Sequence, residues 1–215
     1  MPFKKVTYLI DGFNLYHSVR ISQKELNAST KWLNIRKICE SRLVSLHSYL
    51  GAKVQLENIY YFSAYAHHLN DPSIVQRHQN FVRCLEDTGI QVQINRFKYK
   101  EIECPFCSRT IVKHEEKETD VSIALKLMEI FINKECDIAV IISGDTDLAP
   151  AVRMARKLFP EKHIFFLFPA YRKNKELAKL CPGSMNIKAK QYTKHQFDDP
   201  YTLKDGTTIS KPLSW

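Results

Sequence analysis

Four aspartates fall at three separated points of the chain: Asp11 in Ile10-Asp11-Gly12-Phe13-Asn14, Asp120 in Glu118-Thr119-Asp120-Val121, and Asp145 with Asp147 in Ser143-Gly144-Asp145-Thr146-Asp147. Two of these points follow short apolar runs that read as buried strands, and the third opens an apolar helix. In a parallel sheet such positions converge outside the carboxyl ends of the strands. Carboxylates gathered there repel one another unless a divalent cation sits between them. Oxygen donors suit Mg²⁺ or Mn²⁺, which keep several of their waters. Such an ion can hold a phosphodiester oxygen, lower the pKa of an attacking water and offset charge on the leaving oxygen. Each aspartate alone is explained equally well as a helix cap or a turn residue. The joint pattern, with Asn14 and Ser143 as neutral hydrogen-bonding neighbours, is not.

The elements that must position these residues are legible from periodicity. Val6 to Ile10 reads as a strand ending at Asp11-Gly12, and Asn34 caps a helix whose Ile35, Ile38, Leu43, Leu46 and Leu50 recur at helical spacing before Gly51 stops it. Val54 to Phe62 is a second strand, Asp71-Pro72 opens a helix ending near Gly89, and Ile90 to Arg96 is a third strand. Thr119 is expected to cap a helix to about Asn133 that is apolar on nearly all sides and hence deeply buried. Ile138 to Ile142 and His163 to Phe168 are fully buried strands around a helix from Asp147 to Leu158. A short helix near Asn174 to Leu180 and a weak strand near Met185 to Ile187 close the pattern. Alternation of strands and helices predicts an α/β fold, an open, mostly parallel sheet flanked by helices on both faces. One domain is expected over residues 1–190, with an insertion near 100–116. Residues 191–215 have no sustained periodicity and are expected to be a loosely attached tail.

Lys and Arg outnumber Asp and Glu by 32 to 23, a net charge of +9 over 215 residues. That balance favours a polyanionic partner, nucleic acid first. Arg96-Phe97-Lys98-Tyr99-Lys100 alternates cations with aromatics, which suits backbone attraction and base stacking and equally a strand with one wet face. Tyr171-Arg172-Lys173-Asn174-Lys175 follows a buried strand, at the same sheet edge as the aspartates, and is the favoured phosphate-contacting loop. On the helix after Asp147, at least one of Arg153, Arg156 and Lys157 is a candidate to face the cleft. The amino-terminal apolar run is too short for a signal-peptide core or a membrane span, so a cytoplasmic protein without membrane association is expected. Assembly into a homo-oligomer stays open.

Six cysteines are scattered except for Cys104-Pro105-Phe106-Cys107. Two thiolates at this spacing can grip a structural Zn²⁺, which needs about four ligands. His114 is the nearest third candidate, with Glu103, Glu115, Cys84 or a second subunit to complete the set. An unoccupied turn and a redox pair are the other readings.

Ile10-Asp11-Gly12-Phe13-Asn14, Glu116-Lys117-Glu118-Thr119-Asp120-Val121 and Ser143-Gly144-Asp145-Thr146-Asp147-Leu148 together resemble the three motifs of NYN domains, in the PIN-like nuclease group, and most of all its bacterial LabA-like branch. The similarity runs over about residues 5 to 190. It implies a Rossmann-like PIN fold and metal-dependent endoribonuclease activity. It also implies metal ligation by Asp11, Asp120 and Asp145, with Asp147 as a further ligand or water-orienting carboxylate, and Asn14 orienting Asp11 or touching a phosphate. Glu118-Thr119 departs from the family pattern, where a Gly and an apolar residue are common. An RNA-binding module that keeps the acidic cleft without turnover is the alternative. A phosphatase of the haloacid-dehalogenase type would need an aspartate where Phe13 stands.

Overall fold

In a computed structural model, which describes residues 3–69, 71–103, 107 and 110–215, seven strands form one sheet in the order β4-β3-β2-β1-β5-β6-β7. The strands are β1 (Lys4–Asp11), β2 (Val54–Ala64), β3 (Gln91–Glu103), β4 (Thr110–Lys117), β5 (Ile138–Ile142), β6 (His163–Phe168) and β7 (Met185–Asn186). All neighbours run parallel except β3 and β4. The chain builds outward from β1 through β2 to β3, then returns to the other flank of β1 with β5. The carboxyl ends of β1 and β5 therefore border a topological switch point, where a crevice opens in sheets of this kind.

Helices cover both faces. α1 (Gly12–Leu26), α2 (Ile35–Leu50) and α3 (Pro72–Asp87) pack on the face shown by Val6, Tyr8 and Ile10. α4 (Thr119–Ile132), α5 (Ala149–Leu158) and α6 (Lys175–Leu180) pack on the face shown by Leu9, Ala139 and Ile141. Strands covered on both sides must be apolar at every position, which is why β5 is Ile-Ala-Val-Ile-Ile, buried throughout. Asn34 accepts from the Lys37 amide and Asp71 from the Ser73 amide, so two helix starts rest on side-chain caps.

Three expectations need correction. Thr119 does not cap α4. The cap position is Glu118, in the left-handed region at φ 78°, and the Thr119 hydroxyl instead donates to Glu116 at 2.6 Å while accepting from Asn95 at 3.0 Å. Nor is α4 buried all round: Val121, Leu125 and Ile132 are 62%, 65% and 63% exposed, because only one flank of the helix meets the sheet and α5. The tail is not loosely attached. A helix α7 (Ala189–Lys194) buries Tyr192 completely, and a hairpin of β8 (Tyr201–Thr202) and β9 (Thr208–Ile209) adds Leu203 and Ile209 to the core. The Trp215 ring stands 6.1 Å from Trp32 and 5.7 Å from Phe81. Scattered aromatic anchors, rather than a periodic stripe, hold this segment down.

Candidate functional site

Asp11 ends β1 and caps α1. Its Oδ1 accepts the Asn14 amide at 2.9 Å, and its Oδ2 accepts the Ser143 hydroxyl from the end of β5 at 2.8 Å. The Asn14 side chain spans the same gap, its Oδ1 accepting the Gly144 amide at 3.0 Å. Ser143 Oγ in turn accepts the Asp145 amide at 3.0 Å, and Asp145 Oδ1 accepts the Asp147 amide at 3.1 Å. The two strand ends at the switch point are thus stitched together by their own polar side chains, and the aspartates are fixed as part of the seam. Both glycines here are required by crowding. A Cβ at Gly12 would lie 2.6 Å from the Phe62 carbonyl oxygen and 2.7 Å from the Tyr61 hydroxyl, and one at Gly144 would collide with the Arg172 carbonyl oxygen.

The third acidic contribution comes across the sheet. Asp120 stands in the first turn of α4, half-buried, and Glu116 lies near the end of β4. Burial first, then the charges of Asp11, Asp145 and Asp147, push the Asp120 carboxyl up to about 6. Burial pushes the Glu116 carboxyl up to about 7, with Asp11 and Asp120 adding to it and the Thr119 hydroxyl opposing it. Asp11 is raised as well, chiefly by burial and further by Asp145, against the hydrogen bonds from Asn14 and Ser143 and the Arg172 charge. The carboxylates therefore feel one another as a group, and the group holds less negative charge near neutrality than its composition suggests.

Glu116 is the residue that spacing alone did not single out. It was visible only as a member of the motif Glu116-Lys117-Glu118-Thr119-Asp120, because its setting comes from the pairing with Phe97 on β3 and from the Thr119 hydroxyl that donates to it. Glu118, the bulky departure in that motif, turns away to accept from Arg96 Nε at 2.6 Å.

A cation acts on this group from the loop after β6. Tyr171, in the left-handed region at φ 63°, precedes Arg172, whose charge acts on Asp11. Lys173 and Lys175 are exposed beside it. The loop is anchored from beneath: Ser18 donates to the Ala170 carbonyl at 2.6 Å, and the Ala170 amide donates to the Tyr192 hydroxyl at 3.1 Å. The carboxyl-terminal helix thereby helps fix the basic loop. Arg153, Arg156 and Lys157 do not join the cleft: Arg153 pairs with Glu176 at 3.6 Å, Arg156 donates to the Leu180 carbonyl, and the pair belongs to the α5–α6 contact, with Lys157 exposed on the last turn of α5. Lys98 and Lys100 are exposed on the outer half of β3, which runs seven residues past the expected end at Arg96 and pairs with β4 as a ribbon.

Among the described residues, no three His, Cys, Asp or Glu side chains are already arranged to hold a metal ion. The donor set nonetheless fits Mg²⁺ or Mn²⁺ chemically, since its members are carboxylate oxygens whose mutual repulsion raises their pKa values and since these ions bind partly through waters. Of the candidate zinc ligands, Cys104 lies outside the described residues. Cys107 is an exposed free thiol, and His114 stacks on His68 with ring centres 4.1 Å apart. Cys84 is fully buried in the core on α3.

Comparison with known proteins agrees with this architecture. A solved structure of a protein of unknown function from Vibrio parahaemolyticus superposes with a TM-score of 0.54, covering 86% of this chain and 94% of that one at 17% identity, a likeness of fold. The 6-hydroxy-3-succinoylpyridine 3-monooxygenase HspA of Pseudomonas putida is 30% identical over 173 residues, 68% of this chain. The chain spans about half the length of that curated relative, 54% of it. No described helix is long and apolar enough to cross a membrane. The family model of the NYN domain matches residues 5–187, and the chain belongs to that family, within the PIN-like nuclease superfamily.

Proposed function

We propose that this protein is a metal-dependent ribonuclease that hydrolyses RNA phosphodiester bonds at the seam between β1 and β5. The observation that carries the reading is the gathering of Asp11, Glu116, Asp120 and the Asp145–Asp147 pair, from β1, β4, α4 and the turn after β5, in a chain of net charge +9. A bound Mg²⁺ or Mn²⁺ would supply Lewis acidity to the phosphate oxygen and to the attacking water.

Asp11, Asp120 and Asp145 would hold that ion, and Asp147 would hold it through water or orient the nucleophile. Ser143 and Asn14 keep Asp11 and the Gly144–Asp147 loop in one arrangement. In the step itself the water oxygen attacks phosphorus in line and the bond from phosphorus to the leaving ribose oxygen breaks. Glu116, raised to about 7, is suited to take the proton of the attacking water, and a solvent water on the opposite side of phosphorus gives one to the leaving oxygen. Arg172 and Lys173 would meet the phosphates, with Lys175, Lys98 and Lys100 extending the basic track.

The test is cleavage of mixed single-stranded and tRNA-like substrates under Mg²⁺ and Mn²⁺ titration. Cleavage that rises with the ion and disappears in Asp145→Asn, with the fold intact by circular dichroism, is expected; undiminished cleavage by that variant overturns the reading. A non-cleaving RNA-binding module is the second reading, since the net charge of +9 and the basic loop beside the seam suit RNA binding with or without turnover. Salt-dependent RNA affinity with no cleavage under any divalent ion would select it. The Pseudomonas relative is named for oxidation of a small pyridine, and turnover of 6-hydroxy-3-succinoylpyridine by this chain would replace the RNA reading altogether.

A further inference from the structure

Beside the acidic seam lies a cavity of about 620 Å³ whose chemistry is the reverse of the seam's. Aromatic rings and aliphatic side chains share its walls. Phe13 and Phe97 meet edge to face at 5.3 Å, Phe97 lies 4.6 Å from His68, and His68 stacks on His114. Trp215, from the carboxyl terminus, lines it too. Three cations, Arg20, Lys31 and Arg77, line the same cavity close enough for the first and last to depress the Lys31 ammonium, whose own burial is the larger cause. No Asp or Glu is among the described residues that line it, and none of the described carboxylates pairs with Arg20 or Lys31.

The cavity and the seam share their boundary. Gly12 and Phe13, which line the cavity, follow Asp11 directly, and Phe97 sits opposite Glu116 in the β3–β4 register. Tyr61 lines the cavity with its ring while its hydroxyl feels the charges of Asp11 and Glu116.

We propose that this cavity binds one planar heteroaromatic ring carrying an anionic group, namely a single unstacked nucleotide, its base among the rings and its phosphate toward Arg20, Lys31 and Arg77. Rings recognise a base by stacking whatever its sequence identity, and grouped cations recognise phosphate. A base held among these rings has left its own stack and pair, so the RNA presented to the seam is single-stranded or locally opened at that point. The single-strand corollary rests on the ribonuclease reading; binding of a mononucleotide does not.

The test is quenching of tryptophan fluorescence in the full chain, with the four nucleoside monophosphates, adenosine, ribose 5-phosphate, inorganic phosphate and nicotinate as probes. Trp215 lines the cavity and Trp32 lies behind it, so occupancy reports directly. Saturable binding of at least one monophosphate is expected, weaker by about tenfold or more for probes lacking either the ring or the phosphate. Phe97→Ala should weaken it about tenfold, and Lys31→Met several-fold with a flatter salt dependence. Should Phe97→Ala misfold by circular dichroism, Lys31→Met carries the test.

Failure of all four monophosphates to bind, or affinities unchanged in both variants, overturns the proposal. Nicotinate binding tighter than every nucleotide overturns the assignment of a nucleotide as the occupant. Asp145→Asn separates the two readings: it should lose RNA cleavage and keep mononucleotide binding. A wild-type chain that binds monophosphates but cleaves no RNA supports the cavity and refutes the nuclease, and cleavage without mononucleotide binding does the opposite.

Discussion

On one side of the Asp11–Gly12–Phe13 junction five carboxylates crowd together, with Arg172 the cation that acts on Asp11; on the other, three cations and a set of rings line a cavity that no described carboxylate enters. The two regions are built from the same strand ends, yet they respond to burial in opposite ways. Burial in the seam raises carboxylate pKa values and leaves the site short of positive charge. Burial in the cavity lowers the pKa values of His68, with His114 adding to it, and of Lys31, with Arg20 and Arg77 adding to it, and leaves it short of negative charge. Separation of this kind costs stability on both sides. It is the arrangement expected of a protein whose ligand brings a cation to one region and an anion to the other.

The largest effect should follow from removing a seam carboxylate. Asp120→Asn is expected to lower metal-stimulated RNA cleavage by about 100-fold or more while leaving mononucleotide affinity in the cavity within about twofold. Parallel loss of both would break the division between the regions. Gly144→Ala should come next. Its new methyl group meets the backbone of the Arg172 loop, an overpacking that costs about 1–3 kcal/mol and lowers Tm by about 3–10 °C. Because the loop and not the cavity moves, cleavage should fall further than mononucleotide binding. A Tm equal to the wild type's would show that the loop yields freely.

Glu116 offers a smaller test with a definite sign. Its carboxyl is raised in the folded chain from the ordinary 4.5 to about 7, so the native state holds this proton more tightly than the unfolded chain does. Stability from this group is therefore greatest below about pH 4.5 and declines as pH rises toward 7, above which the ionised carboxylate destabilises fully. Gln cannot ionise. Glu116→Gln should be more stable than the wild type at pH 8 by about 3–5 °C in Tm, and the gap should close at pH 4.5. Comparing variants cancels the contrary slope of His78, whose burial lowers it to about 4. Mn²⁺ at pH 8 should raise the wild-type Tm and leave that of Asp120→Asn nearly unchanged. Equal Tm values for Glu116→Gln and wild type from pH 4.5 to 8 would remove Glu116 from the acidic group.

The unequal legibility of the two regions in the sequence has physical reasons. Seam residues announce themselves because β1 and β5, buried on both faces, must be apolar up to the point where they end, so an aspartate after the run stands out. Helix α1 was not legible. The residues it buries beside Gly12, Leu15 and Val19 are Asn14, Ser18 and Ser22, of which Ser18 reaches the Ala170 carbonyl and Asn14 the Gly144 amide. No hydrophobic period marks such a helix. Strand β4, Thr-Ile-Val-Lys-His-Glu-Glu-Lys, hides too, since it is the edge strand beside β3 and no apolar alternation marks it. The cavity was invisible for a third reason: its rings come from α1, β2, the β2–α3 connection, α3, β3, β4 and Trp215, and only the fold brings them together.

The smallest expected effect concerns Lys98 and Lys100 on that ribbon. Both are exposed, and strand alternation places them on one side and the cavity-lining Phe97 on the other. If the strand guides RNA by charge alone, each lysine that neutralises a phosphate should contribute about 0.7 to the slope of log affinity against log salt for single-stranded RNA. Lys98→Ala and Lys100→Ala should then each lower affinity a few-fold at low salt, flatten the slope by about that amount, and add in the double variant. Their effects should vanish for a mononucleotide, which is too short to reach the ribbon from the cavity. A mononucleotide affinity that fell in either variant would mean that the ribbon cations act on the cavity itself. An unchanged slope for RNA would mean that the net charge of +9 works through the Arg172 loop and the cavity's own cations, and that the outer ribbon takes no part in holding the strand.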